Sequence, residues 1–174
     1  MRPALLLAIA LLAAACAQLE TRAPQDLVFE LSGRLAVRYG NEAFSGNLAW
    51  RHAPGADELL ITSSLGAGVA RLVREGDAIV LSTAEPREYR GRDAEALTQE
   101  VLGFRVPVAG LAEWVRGKPG SGAGDVRYGE DGRLRSLEQG GWAVEYLEYR
   151  DGLPARLRLT YPGIELRLAV SQWK

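Results

Sequence analysis

The sequence predicts a mainly β domain whose antiparallel strands curl into a barrel or half-barrel. Three observations favour this fold class. Apolar and polar residues alternate with a period of two along most of the chain beyond about residue 27. Short turn sequences rich in Gly, Asp and Asn separate these segments, as they do between the strands of hairpins. Helical spacing is confined to one stretch, between residues 93 and 116.

The first 15 residues have the layout of a secretory signal peptide. Arg2 precedes an apolar run from Ala4 to Ala15, and the only cysteine, Cys16, follows that run directly. The run is shorter than the roughly 20 apolar residues of a bilayer-spanning helix. The placement of Cys16 resembles the acylation site of bacterial lipoproteins and predicts a lipid-anchored mature protein. Cleavage by the ordinary signal peptidase, which would leave a free thiol, stays open as an alternative.

Beyond Cys16 the sequence predicts a tether and one domain. Residues 16–26 show no periodicity, which is typical of a flexible tether, and residues 27–174 are long enough for a single domain with its own core. The residue after Cys16 is Ala17, where an Asp signals inner-membrane retention in similar enterobacterial lipoproteins, so we expect the outer membrane. With Cys16 outside the domain, no internal disulfide is possible.

The charge pattern gives no indication of a nucleic-acid partner. After removal of residues 1–15 the chain holds 20 basic and 22 acidic residues, a formal charge of −2. No Lys/Arg-rich stripe with interleaved aromatic residues accompanies that balance.

Five strands are predicted in the first half of the domain. They cover residues 31–38, 44–51, 59–63, 69–74 and 78–83, and the first two are joined by a turn at 39–42. The apolar faces of these first two strands consist of Leu31, Gly33, Leu35 and Val37 and of Phe44, Gly46, Leu48 and Trp50.

Two helices are predicted next, followed by five more strands. Asp93 is a suitable N-cap for a helix that carries Leu97 and Val101 on one side and ends at Gly103. A second helix is predicted over 107–116. The later strands are predicted over 126–128, 133–138, 142–149, 153–161 and 164–170. A curved sheet with a helical lid either packs solid or encloses a cavity, and the alternation is compatible with both.

The residue types needed for catalysis or metal binding are not combined in this sequence. His52, the only histidine, is interpreted as a solvated residue at a strand end, and one His with one Cys provides neither a metal-ligand set nor a catalytic pair. Acidic residues in 85–95 alternate with arginines, as on a solvated face. The glycine-rich stretches 66–68 and 120–124 lack the features of phosphate loops. We therefore expect no enzyme, no cofactor and no metal.

Several segments, taken in order, resemble the LolB family of outer-membrane lipoprotein receptors. The most specific are Leu65-Gly66 in the loop 62–68 and the Trp-x-x-Gly-x-Pro-Gly stretch at 114–120. The others are the lipoprotein signal and residues 31–37, 44–50, 60–64, 106–113, 131–134 and 153–173. The resemblance extends through nearly the whole chain.

The resemblance implies a fold and a function. The fold is an incomplete antiparallel β-barrel, lidded by short helices, around an apolar cavity for the acyl chains of lipoproteins. The implied partners are the soluble periplasmic carrier LolA, acylated lipoproteins and outer-membrane phospholipid. Leu65, followed by Gly66, matches a membrane-facing loop leucine of the family. We accordingly expect a monomer that faces the periplasm and is anchored through Cys16.

Inward-facing apolar residues then become candidates for the cavity wall, although ordinary packing is an equal interpretation for each. The candidates are Leu35, Val37, Phe44, Leu48, Trp50, Ile79, Leu81, Leu97, Val101, Trp114, Val115 and Tyr146.

Two other functions are compatible with parts of the pattern. A structural or assembly lipoprotein would have a solidly packed barrel that binds a protein partner. An envelope lipid hydrolase would need a nucleophile that the sequence does not provide, and Cys16 disfavours a soluble carrier.

Overall fold

The computed structural model describes residues 26–85 and 87–174. The first six strands are β1 (Phe29–Tyr39), β2 (Glu42–Ala53), β3 (Ala56–Ser63), β4 (Gly68–Glu75), β5 (Ala78–Thr83) and β6 (Glu88–Gly91). Two helices follow, α1 (Ala94–Leu102) and α2 (Val108–Trp114). The last five strands are β7 (Val126–Tyr128), β8 (Leu134–Gln139), β9 (Trp142–Arg150), β10 (Leu153–Tyr161) and β11 (Ile164–Trp173).

All strands of the described residues form one antiparallel sheet. Its order is β6-β5-β4-β3-β2-β1-β11-β10-β9-β8-β7, so β1 lies at the centre between β2 and β11. The strands β6 and β7 are the two edges and are not paired with each other. The chain between those edges contains both helices, which therefore lie across the opening. This arrangement confirms the predicted incomplete barrel with a helical lid.

The alternation located the strands well, with two local differences. Strand β6 was not predicted, because its sequence Glu-Tyr-Arg-Gly holds one apolar residue and is too short to show a period. Its neighbourhood is solvated as expected, since Arg90 and Glu88 form an exposed ion pair. The second helix is shorter than predicted, because the turn conformation begins at Val115. The predicted signal segment and Cys16 lie outside the described residues.

The first helix begins and ends at the predicted residues. The carboxylate of Asp93 accepts hydrogen bonds from the backbone N–H groups of Glu95, at 2.9 Å, and Ala96, at 3.1 Å. At the other end Gly103 adopts the left-handed conformation, with φ of 82°, and its N–H donates to Gln99. Both ends of α1 are thus fixed by local sequence.

The core lies between the inner face of the sheet and the helices. It contains the inward residues of both halves of the sheet, and its largest fully buried side chains include Trp50, Trp114, Leu31, Leu134, Leu137 and Leu157. Gly33 permits the close approach of β1 and β11 at a register shift, because a Cβ at this position would lie 2.3 Å from the carbonyl oxygen of Ala169. The two halves of the sheet therefore meet at a position that requires glycine.

Candidate functional site

An apolar cavity of about 150 Å³ lies between the inner face of the sheet and the helical segment. The sheet contributes Leu35, Val37, Leu48, Trp50, Leu59, Ile61, Ala70, Leu72, Leu81, Leu159, Leu166 and Leu168 to its wall. The helical segment contributes Thr98, Leu102, Phe104, Val106, Val108, Leu111 and Val115. A wall of this composition favours apolar ligands and does not retain water.

Thr98 is the only polar residue in this wall among the described residues, and its hydroxyl is already used. The hydroxyl donates to the backbone carbonyl of Ala94 at 2.8 Å, within α1. It accepts from the N–H of Val106 at 2.9 Å and so joins α1 to the segment before α2. Thr98 therefore stabilises the lid and leaves the cavity without an unsatisfied polar group.

The structure brings six of the sequence candidates together around the cavity. These are Leu35, Val37, Leu48, Trp50, Leu81 and Val115. Leu35 and Val37 are only half-buried although they lie on the inward face of a central strand. Their exposure results from the cavity in front of them.

The other six candidates do not line the cavity. Ile79 and Leu97 are buried in the core, Val101 packs against it, and Phe44 folds back over the backbone of Gly46. Trp114 is the last residue of α2, and Tyr146 on β9 donates a hydrogen bond to its carbonyl, so this pair fixes the helix to the sheet. These six candidates were expected at the cavity because they face inward, but some inward residues of a strand or helix pack against other side chains instead of facing the empty space.

Sequence reasoning missed cavity residues of two kinds. Leu159, Leu166 and Leu168 alternate with polar residues along the predicted strands 153–161 and 164–170, so a signal was present but did not distinguish wall from core. The residues between the two helices, Phe104 and Val106, carry no such signal because they belong to neither helix. Only the folded lid places them over the sheet.

The end of α2 is fixed to the sheet by two hydrogen bonds of Trp114. Its indole N–H donates to Oε1 of Gln139 at 2.8 Å, and its carbonyl accepts from the hydroxyl of Tyr146 at 2.9 Å. Trp114 is 1% exposed and Tyr146 is 2% exposed. This end of the lid is therefore anchored, whereas Leu102 at the end of α1 is 37% exposed.

The loop between β3 and β4 projects Leu65 into solvent. The side chain is 95% exposed, more than any other large apolar residue of the described chain. The loop itself is ordered by hydrogen bonds from Ser63 N–H to Ala67 and from Gly66 N–H to Ser63, and Gly66 has a φ of 87°. Leu65 is thus held out at the tip of a defined turn.

This loop lies next to one end of the cavity. Ser63, where β3 ends, is paired with Gly46 on β2, and Gly46 is paired with Leu35 on β1. Leu35 and Ile61 line the cavity, and Ile61 is separated from Leu65 only by the last residues of the strand and the turn. Leu65 therefore projects just beyond the strand end that follows the cavity residue Ile61.

A buried carboxylate organises the opposite end of the same strands. Asp57, whose side chain is 1% exposed, accepts from the indole N–H of Trp50 at 2.9 Å and from Nδ1 of His52 at 2.7 Å. Arg74 donates to its second oxygen through Nε at 2.8 Å and Nη2 at 2.5 Å. The prediction that His52 is solvated is therefore wrong. Its ring also stacks on the ring of Phe29, with the two centroids 5.0 Å apart. Trp50 is fixed by this cluster and forms part of the cavity wall.

Two tyrosine hydroxyls near the lid donate hydrogen bonds to backbone carbonyls. Within residues 26–85 and 87–174 no three His, Cys, Asp or Glu side chains lie together in a way that could hold a metal ion. The phenol of buried Tyr146 donates to the carbonyl of Trp114, at the end of α2, and the phenol of half-buried Tyr149 donates to the carbonyl of Leu134 at 2.7 Å. Burial raises the pKa of Tyr149 to about 12 and raises the pKa of Tyr146 further.

These phenols predict a loss of stability at alkaline pH. Because their folded pKa values lie above the ordinary value of 10.0, the neutral forms are favoured in the folded state. The stabilisation that the two neutral phenols give to the folded state is complete below pH 10 and is lost as the pH rises toward 12. Urea unfolding at pH 8, 10 and 11 should therefore show a falling free energy of unfolding. The double variant Tyr146→Phe, Tyr149→Phe should show a shallower fall, and Tyr128→Phe, on an exposed edge strand, should follow the native curve.

Comparisons with known proteins agree with this architecture. A family model described as Outer membrane lipoprotein LolB matches residues 28–173. The outer-membrane lipoprotein LolB of Thiobacillus denitrificans is 39% identical over 146 residues, which cover 83% of this chain and 78% of that protein. The corresponding protein of Chromobacterium violaceum is 33% identical over 183 residues, which cover 99% of each.

A solved structure supports the fold independently of sequence. The crystal structure of a LolA superfamily protein from Nitrosomonas europaea superposes with a TM-score of 0.52 and covers 87% of this chain and 86% of its own. Its identity is 10%, so this likeness concerns the fold alone. None of the helices in the described part of this chain is long and apolar enough to cross a bilayer. From the family model and the two relatives, the chain belongs to the LolB family and is an outer-membrane lipoprotein of the Lol pathway, not an enzyme.

Proposed function

We propose that this protein accepts acylated lipoproteins from a LolA carrier, holds their acyl chains in the apolar cavity and releases them into the outer membrane. The observation that carries the proposal is the cavity itself, whose wall has one polar residue, the already hydrogen-bonded Thr98. Burial of an acyl chain gains about 0.8 kcal/mol per methylene, so a chain of about 16 carbons needs a shield in water. An apolar space under a helical lid supplies that shield.

The cavity in this structure is too small for a whole acyl chain, which supports a lid that moves outward. An apolar protein cavity of about 150 Å³ accepts a molecule the size of benzene. The lid is anchored at Trp114, whereas Leu102 and Phe104 at its other end are partly exposed. Opening on the Leu102 side, with Trp114 as the fixed end, would lengthen the cavity without breaking the buried hydrogen bonds.

The proposed anchor and the Leu65 loop can reach the same bilayer. Phe29 is paired with His52, and His52 with Asp57, so β1 begins at the level of Asp57. Eight residues separate Asp57 from Leu65, so the start of β1 and the Leu65 loop lie about 26 Å apart at 3.3 Å per residue. The segment from Cys16 to Phe29 extends to about 43 Å at most, which exceeds that separation. An acylated Cys16 would thus keep the loop within reach of the membrane surface.

A cavity-filling variant tests acyl binding directly. Ala70 lines the cavity, and Ala70→Phe introduces a ring of the size that such a cavity accepts. In protein lacking residues 1–16, a fluorescent fatty-acid probe should bind the native domain and bind the variant about tenfold or more weakly, a change of about 1.4 kcal/mol. Overpacking costs typically 1–3 kcal/mol of folding stability, so thermal unfolding is measured alongside.

The control is the same substitution on the outer face of the sheet. Ala49 is exposed between the inward residues Leu48 and Trp50, so Ala49→Phe should leave probe binding at the native level. Failure of the native domain to bind the probe at all would contradict the proposal. It would favour a structural lipoprotein with a closed core that binds a protein partner.

A further inference from the structure

The lid separates the apolar cavity from a second depression on the other side of α2. This second site, the lid groove, has a volume of about 230 Å³ and lies between Arg105, Pro107 and Gly110 on the lid and Trp142 and Tyr161 on the sheet. The two aromatic rings pack together with centroids 5.2 Å apart. The groove therefore has an aromatic wall opposite a wall of small and charged residues.

One segment of chain forms the partition between cavity and groove. Before α2 the residues alternate, since Phe104 and Val106 line the cavity while Arg105 and Pro107 line the groove. Through α2 and the residue that follows it, the same division continues with helical spacing. Val108, Leu111 and Val115 line the cavity, and Gly110 and Trp114 line the groove. The two sites are thus separated by the thickness of a single segment.

The groove differs from the cavity in its chemistry. Two residues of opposite charge, Glu95 and Arg105, line it, and neither takes part in an ion pair among the described residues. A shallower depression of about 320 Å³ shares Gln139, Gly140 and Trp142 with the groove and is bordered by Gly122 and Gly124. Unpaired charges, aromatic rings and glycine backbone suit an extended polypeptide rather than a hydrocarbon chain.

We propose that the lid groove binds the polypeptide that directly follows the acylated cysteine of a cargo lipoprotein. This inference rests on the proposed acyl-binding function. The cargo carries acyl chains and a peptide chain on one residue, so its receptor must hold two chemistries a few ångströms apart. A partition with an apolar side and a polar, aromatic side meets that requirement. The groove would recognise the peptide backbone and polar side chains, and the cavity would hold the lipid.

The test compares two synthetic ligands on protein lacking residues 1–16. One is a diacylglyceryl-cysteine amide, and the other carries five further residues, Ser-Gly-Asp-Ala-Ser amide, after the same cysteine, so that its one carboxylate can pair with Arg105. The native domain should bind the lipopeptide about tenfold more tightly than the lipid alone, as expected for an aromatic contact and a charged contact. The double variant Arg105→Ala, Tyr161→Ala should bind both ligands equally and bind the lipid alone as the native domain does. The control Tyr128→Ala, an exposed tyrosine on β7, should keep the tenfold ratio.

The two proposals fail in different ways. Equal binding of both ligands by the native domain would overturn the groove and leave the acyl cavity intact. Binding of neither ligand would overturn both proposals. A native ratio in the double variant, together with slower acceptance of cargo from the carrier, would assign the groove to the carrier protein and overturn its role for the cargo peptide.

Discussion

Replacement of Leu65 by glutamate should block delivery of lipoproteins to a bilayer while folding and acyl binding stay native. The side chain is 95% exposed, and the hydrogen bonds that order its loop involve the backbone and Ser63, so the variant removes no packing. A carboxylate differs from leucine in membrane insertion by about 3–4 kcal/mol, which reduces entry of the loop by more than about a hundredfold. We infer that the loop acts where cargo leaves the cavity.

The free energy gained by inserting Leu65 into a bilayer is too small for the loop to serve as the membrane anchor. Burial of one leucine gains about 1.5–3 kcal/mol, which is much less than two or more acyl chains on Cys16 would provide. Loss of Leu65 therefore leaves an acylated protein on the membrane but removes the contact beside the cavity. The experiment is best done on protein lacking residues 1–16, where an anchor does not mask the loop.

Transfer to vesicles of outer-membrane phospholipids measures the effect. Domain loaded with a fluorescent lipopeptide is mixed with vesicles, and the fluorescence of the vesicle fraction is followed with time. Leu65→Glu should load normally and deliver at the rate of spontaneous release, whereas Leu65→Met should deliver as the native domain does. Leu147→Glu introduces the same change at another exposed leucine, on β9, and serves as the control. Native delivery by Leu65→Glu would exclude this role of the loop.

The sequence predicts which faces point inward, because each strand has its own period. Leu157, Leu159, Leu166 and Leu168 all lie inside as the alternation requires. Alternation does not report how far the lid stands from the sheet. That distance depends on contacts between remote residues, above all those of Trp114 with Gln139 and Tyr146. Half of the cavity candidates consequently line the cavity and half pack behind it or beside it.

His52 shows the same limit for polar residues. Its neighbours Ala53-Pro54-Gly55 predict a turn, and the turn is present, but the ring contacts Asp57 across the hairpin. The pairing of His52 with Asp57 across the hairpin, and the arrival of Arg74 from β4, bury all three side chains to different degrees. Local sequence identifies a strand end but not a cluster assembled from three strands.

Asp57→Ala should destabilise the domain by about 3–5 kcal/mol, the usual cost of leaving a buried charge without its partner. The substitution deprives Arg74, whose side chain is 23% exposed, and His52 of their acceptor, and it leaves the indole N–H of Trp50 unsatisfied in the core. Glu58→Ala, on the same strand, removes an exposed pair with Arg71 and should cost less than about 1 kcal/mol. Urea unfolding of both variants measures the difference.

A double variant tests whether the unpaired charge of Arg74 causes the loss of stability in Asp57→Ala. Asp57→Ala combined with Arg74→Leu removes the carboxylate and the guanidinium together, so it should be more stable than Asp57→Ala alone by about 1–3 kcal/mol. Additive losses would instead show that the two side chains act independently. Because Trp50 lines the cavity, the single variant should also bind the fatty-acid probe more weakly and change the tryptophan fluorescence, whereas Glu58→Ala should do neither. Unchanged probe binding in a folded Asp57→Ala domain would limit the cluster to stability.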